Sequence, residues 1–167
     1  MSTVDHTKLD IAFDPRSARM DGYTAHGNHY FDIPFISEIG PNLWQGGCEN
    51  NLILPEFFSH LISVYPWESY AIKHELDSLL AVQMFDSLNQ SFEQIEAIAN
   101  WVNVCKKSGP VLVHCQAGLN RSSLIVARSL MLEGASSNEA INLIRAKRSQ
   151  VCLCNKSFEK YLRGLDK

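Results

Sequence analysis

The sequence predicts an α/β fold in which helices flank a central, mostly parallel sheet of about four or five strands. Its 167 residues are 46% hydrophobic and 20% charged, which is typical of one globular domain with its own core. Short, uninterrupted apolar segments of strand length recur along the chain, as expected for strands that are buried on both faces. The predicted elements begin with strands, continue as alternating strands and helices, and end with helices alone, an order that favours the same fold.

Four segments are predicted to be strands because each is short, apolar and rich in residues that favour extended backbone. They are residues 39–47, 60–65, 79–85 and 111–114. The first segment begins with a turn before it becomes a strand. Between the first two strands, residues 51–58 are predicted to form a short helix that is interrupted by Pro55.

Four helices are predicted from capping residues and stop signals. They begin near Ser91, Ser122, Ser136 and Asn155. Ser91 with Gln94, and Ser136 with Glu139, have the spacing of a capping box, in which each side chain bonds the other residue's backbone N–H. The helix that Ser136 opens is predicted to end near Arg148.

Composition and charge exclude several classes of protein. The formal net charge of −3 gives no general attraction to nucleic acid or to an anionic membrane. No apolar run reaches the length of about 18 residues that a membrane-spanning helix needs, and the N-terminal sequence MSTVDHTKLD has no apolar signal core. We therefore expect neither nucleic acid nor membrane as a partner, while the oligomeric state is left open.

The cysteines indicate a reducing compartment. Their number, five, is odd, whereas a secreted disulfide framework favours an even set, so we expect free thiols and a cytoplasmic location. No cysteine pair has the C-x2-C spacing of a zinc site. We therefore predict no metal and no cofactor.

One segment, VLVHCQAGLNRSS at residues 111–123, has the features of a catalytic site. It is predicted to be a strand, a loop and the start of a helix. A loop in this position directs successive backbone N–H groups at one point, and the dipole of the helix adds positive potential there. Such a loop binds an anion such as phosphate.

The side chains of this loop fit phosphate chemistry. Cys115 lies where the amides, the helix dipole and Arg121 all favour the thiolate, which is the nucleophilic form of cysteine. Arg121 has a planar guanidinium that can bind two phosphate oxygens. Gly118 can adopt a backbone conformation that keeps the loop tight. The residues predicted to bind phosphate are Gln116, Ala117, Gly118, Leu119, Asn120 and Arg121.

Two neighbours of the loop receive supporting roles. Ser122 is predicted to hydrogen-bond the thiolate of Cys115 and later to make it a better leaving group. His114 is predicted to order the loop through buried hydrogen bonds rather than to act as a base.

The string HCQAGLNRSS resembles the signature H-C-x2-G-x2-R-[S/T] of the cysteine-dependent protein tyrosine phosphatase superfamily, and the short chain resembles its dual-specificity branch. The resemblance covers roughly residues 38–165 and implies that branch's α/β fold and metal-free chemistry through a phosphocysteine. It implies a phosphatase catalytic domain at residues 38–167. Residues 1–37 match no part of the family; their unpatterned mixture of charges, glycines and a cluster of aromatic residues predicts an N-terminal arm packed on the domain.

Phosphate-ester hydrolysis also needs a general acid to protonate the leaving group, and Asp86 is the best candidate. It directly follows the strand predicted at residues 79–85, so it should lie at the carboxyl edge of the sheet, where ligands of open α/β sheets bind. The number of residues between Asp86 and Cys115 also resembles the spacing between the general-acid loop and the nucleophile in that family. Asp77 is the rival candidate, but it precedes the strand and should lie at the opposite edge.

Four functions remain open at this point. The first is a phosphatase acting on phosphotyrosine in proteins, and also on phosphoserine and phosphothreonine, with a phosphoprotein as its partner. The second is an enzyme with the same chemistry that acts on a phosphoinositide, another small phosphate or an RNA 5′-phosphate. Related enzymes with such substrates tend to carry basic residues in the loop, and none is present between Cys115 and Arg121. A non-catalytic phosphate-binding module should lack Cys115 or Arg121. An arsenate reductase-like enzyme should have its cysteine near the N-terminus.

The basic residues Arg145, Lys147 and Arg148 allow two interpretations. They can bind a charged substrate at the rim of the site, or they can complement the negative end of the helix on which they lie. The second interpretation is favoured because cations are common in the last turn of a helix.

Overall fold

The computed structural model describes residues 14–166, which form seven strands and four helices. The strands are β1 (Arg19–Tyr23), β2 (Tyr30–Pro34), β3 (Ile36–Gly40), β4 (Leu43–Gly46), β5 (His60–Ser63), β6 (Ser78–Ala81) and β7 (Val111–His114). The helices are α1 (Phe92–Lys106), α2 (Arg121–Leu132), α3 (Ser137–Lys147) and α4 (Lys156–Gly164).

Five of these strands form the central sheet, in the order β3-β4-β7-β5-β6. The pair β3–β4 is antiparallel, whereas β4, β7, β5 and β6 run parallel to one another. The middle strand, β7, is buried along its whole length. The prediction of a mostly parallel sheet flanked by helices is therefore confirmed. Because β7 ends at the carboxyl edge of the sheet, the loop that follows it lies where ligands bind in such folds.

The helices begin where their capping residues predict. The backbone N–H of Gln94 donates to Ser91 Oγ at 3.2 Å, and that of Glu139 donates to Ser136 Oγ at 3.1 Å. Each cap satisfies a backbone donor that has no partner within the helix. None of the helices within residues 14–166 combines the length and the apolar character needed to cross a bilayer.

A second, two-stranded sheet precedes the central one. The antiparallel strands β1 and β2, with the turn between them, form the N-terminal hairpin (residues 19–34). In the turn, Gly27 and Asn28 have φ values of 79° and 50°, a left-handed conformation that glycine and asparagine tolerate better than most residues. The division of the chain at residue 37 stays a prediction, and residues 1–13 of the predicted arm lie outside the described residues.

The structure differs from the sequence prediction at two places. Residues 51–58 do not form a helix, because their backbone groups pair with a neighbouring segment instead. Leu54 N–H donates to Ala71 O at 3.0 Å, and Ala71 N–H donates to Leu52 O at 2.7 Å. Pro55 has no N–H for a helical bond, so the paired arrangement prevails. Strand β3 was not predicted from the sequence, although β4, the strand with which it pairs, was predicted.

We predict that His114, at the end of β7, makes stability depend on pH. Burial lowers the pKa of His114 to about 4, whereas an unfolded histidine has a value near 6.5. Between these values the unfolded state binds more protons, so the free energy of unfolding should fall as pH falls from 6.5 to 4, by about 3 kcal/mol at most. Urea titrations at pH 7 and pH 4.5 measure this loss.

His114→Asn removes the titrating group while keeping an N–H donor, so its loss of stability over this pH range should be smaller than that of the parent chain. The exposed His29 offers a matched control, and His29→Asn should keep the parental pH dependence. Equal losses in the parent chain and in His114→Asn would contradict the prediction.

Candidate active site

The loop between β7 and α2 is held tightly against the end of β4. Cys115 N–H donates to Gly46 O at 3.1 Å, and Cys48 N–H donates to Gln116 O at 3.0 Å. Gly118 has a φ of 70°, and a Cβ added there would lie 2.3 Å from the carbonyl carbon of Gly46. Only glycine fits this position without a shift of backbone, which accounts for the glycine in the middle of the loop.

The thiol of Cys115 is buried at the base of this loop and has two polar neighbours. Gly118 N–H donates to Cys115 Sγ at 3.2 Å, and Ser122 Oγ lies 3.3 Å from the same sulfur. Both groups can donate a hydrogen bond to the sulfur when it acts as a nucleophile. The structure thus brings Gly118 and Ser122, two of the predicted site residues, to the sulfur of the predicted nucleophile.

Above the thiol is a cavity of about 370 Å³. Its lining includes these predicted site residues: Asp86, Cys115, Gln116, Ala117, Leu119, Asn120 and Arg121. The guanidinium of Arg121 lies 4.6 Å from the centre of the Tyr65 ring, in a cation–π contact. The cavity therefore places a cation, a carboxyl group and a thiol around one space.

Asp86 is fixed by two side chains that approach from opposite parts of the chain. Asn155 Nδ2 donates to Asp86 Oδ1 and to its backbone oxygen, each at 2.9 Å. On the other carboxylate oxygen, His26 Nε2 lies 3.3 Å from Oδ2. The rival, Asp77, lies at the amino end of β6, where its N–H bonds Ser59 O. It is therefore at the opposite edge of the sheet, as predicted.

Asn155 also joins this carboxyl group to the loop. Its backbone N–H donates to Asn120 Oδ1 at 2.9 Å, and Asn120 is the last residue before α2. The side chain of Asn120 therefore makes no cap bond to its own helix. The bonds from Asn120 through Asn155 to Asp86 fix the distance between the loop and the carboxyl group.

His114 contacts the loop from the sheet. Its Nδ1–H donates to the carbonyl oxygen of Cys115 at 3.2 Å, and its ring meets the Tyr70 ring edge-on with centroids 5.4 Å apart. The Tyr70 hydroxyl in turn donates to Gly47 O at 2.6 Å. Because burial lowers its pKa, His114 is neutral near pH 7. These contacts fit the predicted role in ordering the loop.

Two further residues that shape the loop were missed by sequence reasoning. Arg148 Nε donates to Gly118 O at 2.7 Å, and its Nη2 donates to Ala117 O at 2.9 Å. Gln45 Nε2 also donates to Gly118 O, at 3.1 Å. The carbonyl groups of the loop are thus bound on the side away from the pocket. No motif marks either residue, because both approach from distant parts of the chain.

The interpretation of Arg148 as a helix-end or rim cation is wrong. Its guanidinium is buried, burial lowers its pKa, and the nearby sulfur of Cys115, when charged, acts in the opposite direction. Arg145 and Lys147 do lie in the last turn of α3, as the favoured interpretation expects, and Arg145 also bonds Cys152 O at 3.0 Å and pairs with Glu159.

Within the described part of the chain, no three His, Cys, Asp or Glu side chains come close enough together to hold a metal ion. The groups that surround the cavity are instead those of a site that binds an anion and carries a nucleophile.

Comparison with known proteins places this site in a family. Residues 56–167 match the family model described as "Dual specificity phosphatase, catalytic domain". The chain is 31% identical over 125 residues to MAP kinase phosphatase with leucine-rich repeats protein 3 of Dictyostelium discoideum, covering 69% of this chain and 14% of that protein. It is also 31% identical over 100 residues to the probable dual specificity protein phosphatase H1 homolog of fowlpox virus (strain NVSL), covering 58% of this chain and 60% of that protein.

A solved structure shares the fold. It is the crystal structure of a mouse putative dual specificity phosphatase complexed with zinc tungstate. The two structures match with a TM-score of 0.63 and a sequence identity of 20%, and the match covers 79% of this chain and 89% of that chain. The family model accounts for β5 to β7, all four helices and the loop that holds Cys115 and Arg121. The chain therefore belongs to the dual specificity phosphatase family, with residues 56–167 matching its catalytic domain.

Proposed function

We propose that this chain hydrolyses phosphate monoesters of proteins, on phosphotyrosine and also on phosphoserine and phosphothreonine, through a phosphocysteine intermediate. The observation that carries the proposal is the buried Cys115 sulfur, which accepts a hydrogen bond from Gly118 N–H, lies 3.3 Å from Ser122 Oγ and shares one cavity with Arg121 and Asp86. Membership of the dual specificity phosphatase family supports the same reaction.

In the first step, the Cys115 thiolate attacks phosphorus while Arg121 and the backbone N–H groups of the loop bind the other phosphate oxygens. A P–S bond forms and the P–O bond breaks, so the electron pair goes to the leaving oxygen. Asp86, as a carboxylic acid, donates its proton to that oxygen. Arg121 and the loop amides stabilise the charge on the phosphoryl group in the transition state.

In the second step, water attacks the phosphocysteine and the P–S bond breaks. The carboxylate of Asp86 accepts the proton of that water, which restores the acid for the next cycle. Ser122 donates a hydrogen bond to the departing sulfur, for which its 3.3 Å distance is suitable. Inorganic phosphate then leaves.

The charges of the pocket favour a protein substrate over a phosphoinositide or an RNA 5′-phosphate. Among the described residues that line the cavity, Arg121 is the one cation, while Asp21 and Asp86 contribute two acidic groups. A polyanionic substrate would need several more cations to bind its remaining charges. The presence of both Cys115 and Arg121 at the cavity also argues against a non-catalytic phosphate-binding module.

A cytoplasmic location, and a phosphoprotein as partner without nucleic acid or membrane, are part of this proposal. All five cysteines are free, as expected in a reducing compartment. Fractionation of cells that express the tagged chain tests the location.

The nucleophile is tested by Cys115→Ser. We expect the parent chain to hydrolyse a small aryl phosphate in the presence of EDTA, and Cys115→Ser to lose this activity because serine stays protonated. The control is Cys105→Ser, whose thiol is buried on α1 outside the pocket and which should keep the parental turnover. Substantial hydrolysis by Cys115→Ser would overturn the proposal.

The general acid is tested by Asp86→Asn. With a poor leaving group, turnover should fall by roughly 10²–10⁴, and the loss should shrink as the leaving group improves, because a good one departs without a proton. Asp77→Asn, at the opposite edge of the sheet, should leave turnover unchanged. A uniform loss across all leaving groups would show that Asp86 holds the loop in place and donates no proton.

The shape of the loop is tested by a pair of glycine variants. Gly118 and Gly134 both have positive φ values, 70° and 112°, but a Cβ would collide with Gly46 only at the first position. Gly134→Ala should cost about 1–3 kcal/mol of unfolding free energy through backbone strain and leave kcat/KM unchanged. Gly118→Ala should also lower kcat/KM by roughly 10²-fold, because the loop must shift. Equal kcat/KM values in the two variants would contradict this account.

A further inference from the structure

The N-terminal hairpin supplies one whole wall of the catalytic pocket. Of the fourteen described residues that line the cavity, seven belong to the hairpin, which precedes the segment that matches the family model, residues 56–167. We propose that this hairpin selects the substrate, because its aromatic side chains favour an aryl phosphate over an alkyl phosphate. In a protein this means phosphotyrosine over phosphoserine and phosphothreonine, so the inference rests on the proposed phosphatase function and narrows its substrate class.

The wall is anchored to the catalytic loop. Arg148 Nη1 donates to Pro34 O at 3.0 Å and to Ser37 Oγ at 3.1 Å, and its other nitrogens bond the loop carbonyls. At the base of the hairpin, Phe35 N–H donates to Ala18 O at 3.0 Å, and the side chain of Ile33 is buried in the core. The hairpin and the loop therefore keep a fixed distance from each other.

The turn of the hairpin is also well ordered and closes one side of the pocket. Thr24 Oγ1 accepts from His29 N–H at 2.9 Å and donates to His26 O at 2.7 Å. This arrangement places His26 beside Asp86, with 3.3 Å between Nε2 and Oδ2. The hairpin, Asp86 and the loop of Cys115 thus all border the pocket.

The surface of the wall suits an aromatic ring. Met20, Tyr23 and Phe31 all line the cavity, and Leu119 of the loop lines the same space. The Phe31 ring lies across Gly22, where a Cβ would meet its Cζ at 3.3 Å. Tyr23 is 68% exposed, which leaves much of its ring to be covered by a substrate. Aromatic rings attract one another edge-to-face, and methionine sulfur makes favourable contacts with them.

The depth of the pocket favours the same substrates. Cys115 is 2% exposed and shares its cavity with the hairpin, so a phosphate must enter the cavity ahead of the substrate's main chain to reach the sulfur. In phosphotyrosine a benzene ring separates the two. A phosphoserine or phosphothreonine has a much shorter side chain, and its main chain would have to enter the pocket and leave backbone N–H and C=O groups without partners.

The test compares two peptides that differ only in carrying phosphotyrosine or phosphothreonine. We expect the parent chain to prefer the phosphotyrosine peptide in kcat/KM. Tyr23→Ala should lower kcat/KM for that peptide by roughly tenfold and leave the value for the phosphothreonine peptide nearly unchanged, because the aromatic contact is lost. Tyr23→Phe, which keeps the ring, should restore most of the preference.

Tyr30 provides the matched control. It is 56% exposed and stands beside Tyr23, with ring centroids 5.4 Å apart, but it does not line the cavity. Tyr30→Ala should keep a preference close to that of the parent chain. Equal losses on both peptides in Tyr23→Ala, or no loss on either, would overturn the inference.

A binding measurement separates this inference from the proposed function. In the Cys115→Ser background, the dissociation constants of the same two peptides should show the same preference, and Tyr23→Ala should remove it. If the parent chain turns over neither peptide, the proposed function fails. If it turns over both peptides while the binding preference is absent, only the role of the hairpin fails.

Discussion

The buried guanidinium of Arg148 is the interaction on which the geometry of the pocket depends. A charged group removed from water must have its donors satisfied, and here the acceptors are the carbonyls of Ala117, Gly118 and Pro34 and the hydroxyl of Ser37. Two of these carbonyls belong to the catalytic loop. Because they are directed at the cation, the loop can present its N–H groups to the opposite side, where the phosphate of the substrate is expected to bind.

The same arginine explains why the hairpin and the loop act as one unit. Its Nη1 bonds the end of the hairpin while its Nε and Nη2 bond the loop. A guanidinium is planar and rigid, so it transmits the position of one element to the other. A lysine, with a single ammonium, could satisfy fewer of these acceptors at once. The hairpin and the loop on the two sides of the pocket are therefore positioned by one side chain that does not line the cavity.

The sequence predicts the parts of the site whose partners lie close together along the chain. Cys115 and Ser122 are seven positions apart, and the strand, loop and helix between them are encoded by local patterns. Arg148 bonds Gly118 from 30 positions away and Pro34 from 114 positions away, and Asn155 bonds Asp86 from 69 positions away. Such pairs leave no periodic or spacing signal, so their roles emerge only in the folded chain.

The error at residues 51–58 has a related cause, and so does the role of the hairpin, which the sequence did not indicate. A short segment takes its conformation from whatever satisfies its backbone, and here the partner of residues 52 and 54 is Ala71. The aromatic residues of the hairpin form only an unpatterned cluster in the sequence, and their place beside the cavity is visible only in the folded chain.

The pocket also has to keep a cation and a carboxyl group apart, although both lie on its lining. Within the described residues, no carboxylate lies within salt-bridge distance of Arg121, and none of its N–H groups donates a hydrogen bond; its guanidinium instead packs on the Tyr65 ring. A cation–π contact positions the group through its face and leaves the N–H donors at its edge available for phosphate oxygens. Asp86 is held by Asn155 and His26 instead. If Asp86 were paired with Arg121, the arginine would lose to it the N–H donors that bind phosphate oxygens. Separate anchors for the two side chains are therefore what allow one small cavity to bind an anion and supply an acid.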